Sequence, residues 1–307
     1  MKYKILALSV VGAILGGCGS DNDNSTPPVE PYRNIMAFDP AVMGMKGTFS
    51  CDDGTTGILE ATNFYGVSEV TELTVFNKPE TCSFSYNATP GAKDVSNGKD
   101  MSKVSYKFPK GLANLNDLVT SSPISTLIEK ALDGQPYNEA AGIDILKDLG
   151  LYDTLLNNGR ATSVADFLRR TEEIINDLPA TEKSQVLATN AVLSDVLVVS
   201  PNASASEASG LSKAAAAIAK KVVEKHINYP KTSGGDTIFL DLTKDAQFIK
   251  DAVDNPGAVP AIPDSVEEAA KPVPNPDEGT NPPTGGTGGT GGTGGTGGGG
   301  NGGGTGG

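Results

Sequence analysis

Apolar and polar residues alternate with a period near two from about Met45 to Phe108, then change to a helical period at about Leu112. Between Met45 and Phe108, short segments read as half-buried strands: Lys46 to Cys51, Gly57 to Thr62, Val70 to Phe76, Cys82 to Tyr86 and Lys103 to Phe108. Turn chemistry separates them at Asp52-Asp53-Gly54, Asn77-Lys78-Pro79, Thr89-Pro90-Gly91 and Ser96-Asn97-Gly98. Beyond Leu112, Ser122-Pro123 opens a helix through Leu132, with serine as N-cap and proline at the first helical position. Asn138 precedes a helix from Glu139 to Leu149, stopped by Gly150. Thr162 or Ser163 opens a third helix running to Leu178, Thr181 a fourth to Val199, and Ser206 a fifth ending near Asn228. A late strand, Thr237 to Leu242, and a last helix, Lys244 to Val253, complete the pattern.

The expected fold class is therefore α+β, a small antiparallel β-sandwich followed by an α-helical bundle. Residues 18–40 are polar and proline-punctuated and are expected to form a disordered tether. The β module is expected over 41–110 and the helical domain over 111–255. After Asn255 prolines recur and Thr-Gly-Gly units follow, so 256–307 reads as linker or tail without a core of its own.

Cysteine usage adds a staple. With Cys18 set apart, Cys51 and Cys82 remain as an even pair, and in an oxidising compartment they are expected to form a disulfide. Two thiols without a neighbouring histidine fall short of a zinc ligand set.

The amino terminus supplies an address. Lys2 and Lys4 precede an apolar run, Ile5 to Leu15, which is too short to cross a bilayer, where about 20 apolar residues are needed. The run ends in Leu15-Gly16-Gly17-Cys18, which resembles the bacterial lipobox. The resemblance implies cleavage between Gly17 and Cys18 and a diacylglycerol thioether on Cys18. Gly19 and Ser20 lack the aspartate that retains many lipoproteins at the inner membrane, so the outer membrane is favoured. Residues 1–17 hold two lysines and no acid, so cleavage moves the formal charge from −13 to −15. That balance disfavours nucleic acid and attachment to anionic lipid, leaving the N-terminal lipid as the membrane contact.

No catalytic constellation emerges and no cofactor is implied. His226 is the only histidine, which excludes a His-Glu-x-x-His site, and no Gly-x-Ser-x-Gly elbow accompanies it. It reads as a cation at a helix C-terminus. Asp52 and Asp53 are hard-oxygen candidates for calcium, although their spacing does not match an EF-hand and an acidic turn explains them. Asp21 and Asp23 read as solvated tether or as a surface-export cue. Glu172 and Glu173 are adjacent on one helix and do not face each other, so they read as a solvated face. Ala214 to Ala219 is helix propensity, not a membrane span.

The order of lipobox, tether and two-cysteine β module, then Ser121-Ser122-Pro123-Ile124-Ser125-Thr126-Leu127-Ile128, Glu139-Ala140-Ala141 and Leu149-Gly150-Leu151, resembles the anchor region of large bacterial surface lipoproteins. It is similar to the N-terminal part of accessory colonization factor lipoproteins, which carry a distant M60-like zinc-metalloprotease domain. The zinc motif of that family has no counterpart here, and no catalytic residue is transferred. The resulting expectation is a non-enzymatic, surface-exposed outer-membrane lipoprotein that binds a host, matrix or envelope ligand. Two alternatives stand beside it: the anchoring part of a larger secreted metalloprotease, divided from its catalytic domain within the glycine-rich linker, and a periplasm-facing assembly factor.

Overall fold

The computed structural model describes residues 31–276. Its strands are β1 (Arg33–Ala37), β2 (Val42–Met43), β3 (Lys46–Cys51), β4 (Thr56–Leu59), β5 (Val67–Val70), β6 (Cys82–Asn87), β7 (Lys93–Asp94), β8 (Tyr106–Phe108) and β9 (Val119–Ser121), followed late in the chain by β10 (Ile238–Leu240) and β11 (Glu267–Ala269). The helices are α1 (Leu73–Asn77), α2 (Pro123–Leu132), α3 (Glu139–Asp148), α4 (Val164–Arg169), α5 (Thr171–Asn176), α6 (Ala180–Val199), α7 (Ala208–Lys225) and α8 (Ala246–Asp254).

The architecture is α+β, with a disulfide joining β3 and β6 of one sheet. A four-stranded antiparallel sheet has the order β4-β3-β6-β8, and a three-stranded sheet the order β5-β1-β9. Alternation in β3 turns Gly47, Phe49 and Cys51 inward, opposite Tyr86, Phe84 and Cys82 of β6. Phe84 packs against Phe49 and Phe108 at ring-centroid distances of 6.5 and 6.3 Å. Gly47 is required there, because a Cβ would lie 2.1 Å from the Ser85 carbonyl oxygen. Cys51 and Cys82 sit directly across this ladder and are joined. The sheets meet through Tyr86, whose hydroxyl donates to the Ile35 carbonyl at 2.8 Å, and through Ser68 of β5, which donates to the Glu60 carbonyl at 2.6 Å.

Three expectations are corrected. Val70 to Phe76 is not one strand: β5 ends at Val70, and Leu73–Asn77 is a short helix. Within β5 the polar Ser68 is buried, its hydroxyl satisfied by Glu60 and Tyr86. The tether expected over 18–40 gives way to β1 from Arg33, since Ile35, Met36, Ala37 and Phe38 are all buried. This strand pairs antiparallel with β5 and parallel with β9. The spacer expected from residue 256 is folded as far as 273. Val259, Ile262 and Val266 are buried, β11 pairs with β10, and the Lys271 and Val273 amides donate to the Asn97 and Val95 carbonyls. Few apolar residues sufficed because a strap laid over an existing surface needs only its own anchors.

The helices assemble around α6, whose buried residues lie on nearly every side. It packs most extensively on α7, where Ala214, Ala215 and Ala219 are buried. The third expected helix is divided at Arg170 into α4 and α5, where the Thr171 hydroxyl donates to the Phe167 and Leu168 carbonyls. Ser122 caps α2 as expected, in a capping box with Ser125, and Asn138 caps α3. Other caps differ from expectation: α6 starts without a bond from Thr181, and Ser204 rather than Ser206 caps the turn entering α7; Asp245 caps α8. At α8 the Asp245 carboxylate stands in register to accept the Phe248 amide at 3.1 Å, whereas α6 starts after Pro179 with no side-chain cap. Among the described residues, no helix is long and apolar enough to cross a membrane.

Candidate functional site

Where the sheets meet α6, the interior is polar. Asp39 follows β1, Asp94 ends β7, Lys99 lies in the following loop, and Asn190, Ser194 and Asp195 come from one face of α6. All six are buried. Lys99 Nζ lies 2.6 Å from Asp195 Oδ1, with side-chain exposures of 7% and 1%. The other oxygen, Asp195 Oδ2, accepts the Leu242 amide at 2.8 Å. Asp39 accepts from the Tyr106 hydroxyl at 2.7 Å and from Asn190 Nδ2 at 2.6 Å, and Tyr106 also contacts Ser194 Oγ at 3.0 Å. Asp94 accepts from the Ser96 amide and hydroxyl and from Asn97.

Three carboxyls share this interior with one ammonium, and their titration reflects it. Burial pushes the Asp39 carboxyl up to about 8, against the pull of Lys99 and the Tyr106 hydrogen bond. Burial likewise raises Asp94 and Asp195. Asp39, Asp94, Lys99 and Asn190 line a cavity of about 110 Å³ closed by Tyr229, Phe239 and Leu240. Asn190 Oδ1 has no partner.

On the far side of Ser194 a larger groove opens, with a volume of about 500 Å³. Val104, Leu197 and Val198 contribute apolar lining, Lys103, Lys107 and Lys130 bring cations to it, and Glu129 and Asp133 bring two acids. The groove is set by α2 docking on β8: the Lys107 amide donates to Thr126 Oγ1 at 2.8 Å, and Ser125 Oγ donates back to the Lys107 carbonyl. Lys130 donates to the Pro201 and Ala203 carbonyls and ties down the end of α6, while Lys107 pairs with Glu129 at 3.2 Å.

The residues singled out from the sequence are dispersed. Gly17 and Cys18, Asp21 and Asp23, and the Thr-Gly-Gly tail lie outside the described residues. Cys51 and Cys82 are joined. Asp52 pairs with Lys110 at 2.6 Å, whereas Asp53 accepts from the Thr55 amide and the Thr74 hydroxyl, bonds that hold its carboxyl below the usual range. Among the described residues, no group of three or more His, Cys, Asp or Glu side chains is placed to hold a metal ion. His226 is the C-cap of α7, and its Nε2 lies 3.0 Å from Glu267 Oε1 in β11. Glu172 and Glu173 are exposed, and Glu173 forms a two-point pair with Arg170.

The sequence reading missed both the buried cluster and the groove. Its one available signal was Asn190, Ser194 and Asp195 interrupting an otherwise apolar helix.

The fold thus defines an α+β protein with a polar junction and an adjoining basic groove. No protein-family model, curated protein or solved structure matches the chain, so the resemblance to colonization-factor lipoproteins gains no support from these comparisons.

Proposed function

We propose that the protein is an outer-membrane lipoprotein, anchored by lipid on Cys18 and displayed at the cell surface, whose folded part is a non-catalytic binding or adhesion module. The groove carries this reading. In a chain of formal charge −13, it sets three lysines against two acids, Glu129 and Asp133, beside apolar lining, a local surplus of positive charge suited to an anionic ligand such as an acidic host or matrix glycoprotein. Lys103 and Lys107 flank Val104 and Ser105 at one rim, where they can meet a ligand that rests on Leu197 and Val198.

Anchoring is tested on intact cells. Cells making the wild-type chain should lose it to added protease, while a Cys18→Ala chain should leave the membrane fraction. A wild-type chain untouched by protease on intact cells would reverse the surface assignment.

A further inference from the structure

We propose that Lys99 and Asp195 close a covalent amide that locks the β module to the helical bundle. Four observations meet at this pair. The amine already touches the carboxyl group it would attack, with Nζ 2.6 Å from Oδ1, the oxygen that would leave. Both side chains are almost wholly shielded from water, so an amide, once made, is protected from hydrolysis. Burial disfavours the Asp195 carboxylate, whereas at Lys99 burial is outweighed by the facing Asp195 and Asp39 carboxyls, which hold its proton above the usual range, so the neutral amine arises by transfer within the pair. The second oxygen, Oδ2, accepts the Leu242 amide hydrogen at 2.8 Å, a donor placed to polarise a carbonyl and to hold the negative charge that develops on it. A third carboxyl, Asp39, lines the same small cavity as Lys99 and is held there by Tyr106 and Asn190.

The step balances without an oxidant or cofactor. A proton passes from the Lys99 ammonium to Asp195 within the pair, giving a neutral amine and a carboxylic acid. The Nζ lone pair attacks the Asp195 carboxyl carbon, forming a C–N bond while charge gathers on Oδ2 beneath the Leu242 amide. Asp39 takes a proton from the nitrogen and returns one to Oδ1. The C–Oδ1 bond breaks, one water leaves, and an amide remains. Burial raises Asp39 toward the range where a carboxyl can both accept and return a proton at neutral pH. Contact enforced by folding supplies the effective concentration that amide formation lacks in water.

The bond would join positions 96 residues apart, from the loop after β7 to the middle of α6. The disulfide staples the β module internally, and the amide would staple that module to its neighbour. The proposal is independent of where the protein resides.

Tandem mass spectrometry of the reduced, digested full chain tests it. The expected result is a branched peptide joining the Lys99 and Asp195 segments, lighter than the two peptides together by one water, and missing from Lys99→Met and Asp195→Ala chains. Linear peptides carrying unmodified Lys99 and Asp195 as the only products would overturn it. So would a water loss that persists in Lys99→Met, which belongs to cyclisation at an Asp-Gly step such as Asp53-Gly54. An Asp39→Asn chain with wild-type circular dichroism should lack the branch. A wild-type yield of branch in that variant would overturn the role given to Asp39.

Discussion

At the scale of single residues, the junction is governed by the cost of burying charge. Asp39 holds its proton to about pH 8, whereas the ordinary carboxylate value is 3.8, so the native state keeps a proton that the unfolded chain releases. Such a group favours folding most at low pH, and its contribution falls as pH rises from about 4 to about 8. An Asp39→Asn chain lacks this titration. Denaturation of both chains across that window should show the variant gaining on wild type as pH rises, and parallel stability curves would contradict the assignment. Neither Asp39 nor Lys99 was legible in the sequence. Each sits among turn residues where a polar side chain is ordinary, and the contacts that bury them come from positions about 100 or more residues away. Cys51 and Cys82 were legible because, with Cys18 set apart, they remain as an even pair without a histidine to complete a metal site. Opening that disulfide with Cys51→Ser and Cys82→Ser should lower unfolding free energy by about 3–4 kcal/mol in the chain-entropy account, read from denaturant midpoints.

At the scale of elements, strong local signals located the strands and helices that they describe. Lys46–Cys51 and Cys82–Asn87 follow from clean alternation, and α2 and α3 from their caps. Where tertiary contacts outweigh local pattern, the reading failed. Leu73–Asn77 is helical although its apolar spacing suits a strand, because the helix end is held from outside. Arg33, expected in a tether, sends its guanidinium to the carbonyls of Val75, Phe76, Asn114, Leu115 and Asp117, so one side chain ties α1 to the segment before β9. Arg33→Ala should cost about 2–3 kcal/mol, since charged hydrogen bonds are lost and acceptors beneath the surface are left without donors. A change below about 0.5 kcal/mol in chemical denaturation would show that this clamp contributes little.

At the scale of the whole molecule, the sheets, the bundle around α6 and the strap of residues 256–273 form one continuous structure. The strap crosses from the end of α8 to the Val95–Asn97 backbone, with Val259, Ile262 and Val266 as its buried anchors. Lys225 and His226 at the end of α7 hold Glu267 from the side, and their attraction outweighs the effect of burial to keep that carboxyl below its usual range. Replacing Val266 by Asp should release the strap and expose the backbone of β10. Hydrogen exchange at Ile238–Leu240 should accelerate, and unchanged protection would show that the strap is dispensable. The strap escaped the sequence reading because proline and acidic residues dilute its three apolar anchors below any periodic signal. The groove was equally hidden, since it is assembled from β8, α2 and the end of α6. The proposed binding role rests on that groove. The most direct measurement compares intact cells bearing wild-type chain with cells bearing Lys103→Glu, Lys107→Glu at equal surface abundance, on an immobilised mucin-type glycoprotein. Loss of attachment in the variant is the predicted result, and attachment equal to wild type would contradict the groove as the binding site.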